Sequence, residues 1–223
     1  QFDHRLALFT KLWGRGYDPT RLVVLKATSS AGRLAVPLLE RSTRSRAIYM
    51  NMRAEPYLAV LLAGQNSPWD LRGHGPRRIR RVQARLAAPI APLHELSLGE
   101  LAAMSWLAES WNQHDALVKL GARMLALDFD VFLADVAEGM RAVLGHFGLA
   151  CDGRVLAELV RSPVLARYSM APDYEYTPGT RAELIAESRR ANREEIRRGM
   201  AWLERIAKSN GAADAVVNGA RRS

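Results

Sequence analysis

Leu22-Val23-Val24-Leu25 is apolar at four consecutive positions and rich in β-branched residues. A strand that is apolar on both faces must be covered on both faces, which is the pattern of a parallel strand lying between helices. Ala47-Ile48-Tyr49-Met50 reads as a second strand and Arg123 to Asp128 as a third. Parallel strands are joined only by crossover connections, so these runs require an α/β chain, with right-handed crossovers.

The stretches between them have helical spacing. Phe2, Leu6, Phe9, Leu12 and Trp13 predict a helix within residues 1–18, ended by Gly14, Gly16 and Pro19. Ser29 or Ser30 can cap the next helix, which Pro37 kinks early or makes start late. Glu55-Pro56 opens a helix through Leu62 that Gly64 ends. Residues 65–77 are polar and rich in Gly and Pro and read as a loop. Residues 77–87 read as a basic helix with Ile79, Val82 and Leu86 inward, and 88–95 as a linker. Ser97-Leu98-Gly99-Glu100 fits a capping box before a long helix to about Leu120. Phe132 to Phe147 reads as a helix with Gly148 as its C-cap. A loop is expected at 167–180, one long charged helix from about Thr180 to Ala207, and a frayed tail at 209–223. No internal repeat occurs, and residues 1–223 read as a single helix-rich α/β domain.

Composition narrows the classes. With 223 residues, 48% hydrophobic and 25% charged, the chain can bury a core of its own. Cys151 is its one cysteine, which excludes an intramolecular disulfide and a multi-cysteine zinc module. No apolar run approaches the roughly 18 residues of a membrane span, and the first residues do not read as a signal peptide, so a cytoplasmic location is expected. The net charge of +9 favours an anionic partner. Only Lys11, Lys26, Lys119 and Lys208 among the 32 bases are lysines. Such arginine dominance is also what a GC-rich coding sequence produces, which weakens the charge as a functional clue.

Neither GxxxxGK[ST] nor GxGxxG occurs. Gly14-Arg15-Gly16 precedes a predicted strand instead of following one and reads as a plain turn. The histidines are scattered, no metal-ligand cluster is visible, and His146 reads as a satisfied structural residue. Cys151 reads as a small buried hydrophobe. Arg72, Arg77, Arg78, Arg80, Arg81 and Arg85 form the densest positive patch. It can grip a phosphate or an RNA backbone, or simply solvate a helix face. No aromatics interleave with it, so nucleic acid is not the expected partner. Trp106 and Trp111 read as core anchors in the long helix.

Three segments, in order, resemble the P-loop sulfotransferases of bacterial type, which transfer a sulfuryl group from phosphoadenosine phosphosulfate (PAPS). Arg21-Leu-Val-Val-Leu-Lys26-Ala-Thr-Ser-Ser30 is similar to a family strand ending in Lys-Thr-His, with Thr28 where many members carry a catalytic histidine. Ala47 to Leu62 resembles the family's strand, Arg-x-Pro turn and helix, with Arg53 one position off and Val60 near the usual serine. Leu127 to Asp135, continuing through Leu144 to Leu149, resembles a structural strand and helix of the family, and Trp202-Leu203-Glu204 resembles its closing helix.

The resemblance implies a three-layer, P-loop-like parallel sheet flanked by helices, with the first strand and the 5′-phosphosulfate loop lost or lying before Gln1. It implies PAPS as cofactor and a small-molecule, glycan or lipid acceptor carrying a hydroxyl or amine. Lys26 is then the catalytic charge stabiliser, Arg53 faces the cofactor, and Arg77, Arg78 and Arg81 can hold the 3′-phosphate in place of the missing serine. His74 and His114 could act as base only if folding brought them close. The second expectation is a non-catalytic anion- or partner-binding protein on the same scaffold, and the third an RNA-binding module. Homo-oligomerisation is left open.

Overall fold

The computed structural model describes residues 1–15, 22–27, 29–168 and 171–222. Gly16, Pro19, Arg21 and Thr28, which carried sequence expectations, lie outside the described residues.

The helix α5 (Leu98–Leu120) is the axis of the fold. The expected capping box forms: Ser97 Oγ accepts from the Glu100 N–H at 3.2 Å and Glu100 Oε2 accepts from the Ser97 N–H at 3.0 Å. Residues 101–108 are all buried, so this stretch of the helix is enclosed on every side. Around it pack α3 (Ala54–Ala63), α4 (Ser67–Leu86), α10 (Arg193–Ser209) and α11 (Gly211–Arg222). Trp106 and Trp111 anchor the core as expected, and each indole N–H is satisfied, by the Met52 carbonyl at 2.8 Å and the Ala212 carbonyl at 3.1 Å. The tightest crossing is between α5 and α10. A methyl group on Gly199 would strike the Gly99 carbonyl, and one on Gly99 would strike the Glu195 carbonyl.

Strands β1 (Ala47–Asn51) and β2 (Met124–Asp128) pair in parallel, in register from Ala47 opposite Met124 to Asn51 opposite Asp128. Their connection runs through α3, α4 and α5. The molecule is therefore α/β, with a small two-stranded parallel sheet in a mostly helical body. A second apolar cluster, of Leu39, Ala116, Leu120 and Met124, joins α2 (Ala35–Leu39) to the end of α5 and the start of β2. The chain continues through α6 (Phe129–Ala134), α7 (Val136–Phe147) and α8 (Gly153–Val160). The antiparallel strands β3 (Arg167–Tyr168) and β4 (Ala171–Glu175) follow, and then α9 (Pro178–Ala191). At the start of the chain, α1 spans Phe2–Trp13.

Several expectations are corrected. Leu22–Leu25 is not a strand: residues 22–27 lie outside any regular element and are exposed, Val24 at 72%. The apolar run meets the composition of a strand, but a strand exists only through a ladder partner, and among the described residues this run has none. The expected loop at 65–77 is helix, because α4 begins at Ser67 with Pro68 in its first turn, where proline is preorganised for a helix. Gly75 sits where α4 meets Leu93 too closely for a Cβ, so it serves packing rather than a turn. Leu71, Gly75, Val82 and Leu86 make the buried stripe. The long helix at 180–207 is broken at Asn192, whose side-chain amide donates to Ser188 Oγ at 3.0 Å, while Ser188 donates to the Ala59 carbonyl at 2.6 Å. The helix at 132–147 is likewise two, broken at Asp135, and Gly148 caps the second in the left-handed conformation at φ 70° as expected. The described part of the expected frayed tail is helical: α11 buries Ala213, Val216 and Val217. The loop at 167–180 contains β3 and β4.

Candidate anion-binding site at the carboxyl end of the sheet

β1 ends at Asn51, and the chain turns through Met52 and Arg53 into α3. The Met52 carbonyl is fixed by the Trp106 indole. Arg53 is the N-cap of α3, extended at φ −60° and ψ 153°, with no side-chain cap. The N–H groups of Ala54 and Glu55 are therefore not capped by it, and Pro56 has none to offer. A helix start at the carboxyl end of a parallel strand is where open α/β sheets receive ligands, and its dipole favours an anion. Arg53 is exposed at that point.

The neighbouring strand ends in Asp128, whose Oδ1 caps α6 by accepting from the N–H groups of Asp130 at 2.8 Å and Val131 at 3.0 Å. Arg181 reaches this end from α9. It is 8% exposed, pairs with Asp130 at 2.8 Å, lies over the Phe129 ring at 5.2 Å and meets the Met52 sulfur at 3.6 Å. Arg189 closes the flank with two hydrogen bonds to Glu55, at 2.8 and 2.6 Å. The three carboxylates here thus have partners already: Asp128 in a cap, Asp130 with Arg181, Glu55 with Arg189.

A second polar region lies in the seam between α4 and α5. Arg78 faces Asp70 at 3.6 Å, Arg81 faces Glu109 at 3.9 Å, and Arg85 forms a bidentate pair with Asp115 and lies over the Trp111 ring at 4.9 Å. Burial pushes the Glu109 carboxyl up from its ordinary value, against the pull of the Asn112 amide and of Arg81, Arg78 and Arg33. The same burial, with Glu109 nearby, raises Tyr49. Tyr57, whose hydroxyl lies 3.2 Å from Ser105 Oγ, is also raised by burial.

The expected site residues do not share one place. Lys26 is exposed on the segment 22–27, outside the sheet. Arg53 stands at the sheet's carboxyl end. Arg77 is exposed, whereas Arg78 and Arg81 are half-buried against α5. His74 lies beside Asp70 on its own helix at 3.5 Å. His114 is exposed on α5 next to Asp115, level with Arg85 and about three turns along from His74. His146 has the structural role expected, its Nε2 3.0 Å from the Ala47 carbonyl oxygen. Cys151 is half-buried rather than buried. Among the described residues no group of three or more His, Cys, Asp or Glu could hold a metal, and no helix is long and apolar enough to cross a membrane.

The sequence reading missed Arg181, Tyr49 and Glu109. Arg181 carries no local signal, because only the packing of α9 against α3 brings it to Asp130 at the start of α6. Tyr49 and Glu109 lie within an apolar strand and a helix whose core-facing pattern conceals them. Comparison with known protein families, with curated proteins and with solved structures finds no match to this chain.

Proposed function

We propose that the chain binds the 3′-phosphate of a phosphoadenosine nucleotide at Arg53 and the start of α3, on a P-loop-like sulfotransferase scaffold, in the service of sulfuryl transfer from PAPS to a hydroxyl or amine acceptor. The observation that carries this reading is the exposed Arg53 beside uncapped N–H groups at the carboxyl end of a parallel strand. A guanidinium with backbone donors suits a phosphate, so the residues present fit this part of the nucleotide. The Arg-x-Pro resemblance of Ala47 to Leu62 points to the same turn. Bound PAPS would supply the sulfuryl group and leave adenosine 3′,5′-bisphosphate as product. Arg53 orients the nucleotide in this reading.

The test is calorimetric titration with adenosine 3′,5′-bisphosphate, with AMP as the control lacking the 3′-phosphate. Tighter binding than AMP, weakened about tenfold or more by Arg53→Ala, is the expected result, in line with one charge-assisted contact. Equal binding of both nucleotides would remove the 3′-phosphate site. The second reading is a binding protein on the same scaffold. It is favoured by the carboxylates at the sheet end, all of which already have cationic or capping partners, so that none is placed as a base. Nucleotide binding without sulfuryl transfer to any acceptor would select it.

A further inference from the structure

Four buried side-chain atoms have no hydrogen-bond partner among the described residues: Tyr49 Oη, Asn51 Oδ1, Arg78 Nη1 and Arg81 Nε. Leaving a buried donor unpaired is costly, so such atoms ask for a ligand. They converge. Tyr49 and Asn51 lie two residues apart on one face of β1. A methyl group built on Gly32 would meet both Tyr49 Oη and Glu109 Oε2, which places those two atoms on one small space. Arg78 and Arg81 approach Glu109 from neighbouring turns of α4, and Arg33 adds its charge. Arg81 also lines a cavity of about 370 Å³ between α4 and α5, with Arg85, Trp111 and Asn112 among its other walls.

The geometry of Arg81 decides what the space can take. The Nε and Nη2 atoms form the guanidinium edge that phosphates, sulfates and carboxylates take with two parallel hydrogen bonds. Nε has no acceptor, and Nη2 meets Glu109 only at 3.9 Å, beyond hydrogen-bond reach. Glu109 Oε2 is instead held by the Asn112 amide at 3.1 Å. The charges of Arg33, Arg78 and Arg81 all act on Glu109, while Asp70, between Arg78 at 3.6 Å and His74 at 3.5 Å, is the carboxylate paired with Arg78.

We propose that the seam between α4 and α5 is a binding site for the phosphate or sulfate group of a small ligand, taken by the Nε–Nη2 edge of Arg81, with Arg78 and the Tyr49 hydroxyl as further donors and Glu109 as the competing anion. This site is separate from the Arg53 turn and does not depend on sulfuryl transfer. Arg78 and Arg81 then serve it rather than the nucleotide's 3′-phosphate.

Inorganic phosphate, titrated calorimetrically at constant ionic strength into the full chain and three variants, tests it. Arg154→Gln, at an exposed arginine of α8, should keep phosphate binding. Arg81→Gln should weaken it about tenfold or more, the order expected of a charge-assisted contact. Glu109→Gln should tighten it several-fold, because the competing charge goes while the shape stays. A gain of affinity cannot come from a damaged fold, so this variant keeps the test sound if Arg81→Gln proves unstable. No phosphate binding, no weakening by Arg81→Gln, weakening by Arg154→Gln equal to that by Arg81→Gln, or weakening by Glu109→Gln would each overturn the site. Failure of the nucleotide reading would leave these outcomes unchanged, since none of them uses the nucleotide.

Discussion

At the residue scale, Glu109 and Asp115, six positions apart on α5, respond to pH in opposite directions. Burial raises the Glu109 carboxyl, so the folded chain keeps its proton where the unfolded chain has released it. Its contribution to stability is complete below the ordinary value of 4.5 and is lost as pH rises through the raised one. Glu109→Gln should therefore match the parent near pH 4 and melt higher at pH 7, by about 2–4 °C for each kcal/mol. Asp115 is lowered by its hydrogen bonds from Arg85, so its contribution is present above 3.8 and lost as pH falls through the lowered value. Asp115→Asn should melt lower at pH 7 and converge on the parent in acid. The effect is small, about 0–1 kcal/mol, because the pair is half-exposed. Melting curves at several pH values check both signs, and a common direction would contradict the two environments. Neither role was legible beforehand. A lone Glu and a lone Asp look alike in sequence, and their surroundings come from α4 and β1.

At the element scale, the crossing of α5 and α10 rests on two glycines, Gly99 and Gly199, that lie far apart in sequence. Gly199→Ala would normally favour a helix interior by propensity, by about 1 kcal/mol. Here the methyl meets the Gly99 carbonyl and the Leu58 side chain, so the expected outcome is a net loss of about 1–3 kcal/mol, as in overpacked cores, read by urea unfolding. Ser97→Ala, which opens the capping box on the same helix, should cost about 1 kcal/mol without disturbing the crossing. The cap was legible because it is chemistry within four residues. The end of α7 at Gly148 was legible for the same reason. The start of α4 was not: Gly73, Gly75 and Pro76 argue for a loop, and burial of Leu71, Val82 and Leu86 against α5 overrides them. Leu22–Leu25 shows the converse, with strand composition and no partner strand among the described residues.

At the scale of the whole molecule, α11 closes the core over Trp111. Truncation after Asn210 would remove Ala213, Val216 and Val217 from the core and take the Ala212 carbonyl from the Trp111 indole N–H. The expected cost is several kcal/mol, since burying one Val contributes about 1.5–3 kcal/mol, with a red shift of tryptophan emission. A frayed tail would be lost without effect, so an unchanged melting temperature would return residues 211–222 to that description. The sequence by itself determined the α/β class, the strands at 47–50 and 123–128, the capped central helix, the core tryptophans and the turn holding Arg53. Each of these rests on periodicity, capping or composition within one short segment. Only the tertiary structure decided that, among the described residues, the parallel sheet holds two strands, that α4 is a continuous helix, that Arg81 and Tyr49 lie near Glu109, and that Arg181 meets Asp130. Those outcomes depend on contacts between segments tens of residues apart, and the free energy of such contacts is set by which faces meet, a quantity no local pattern contains.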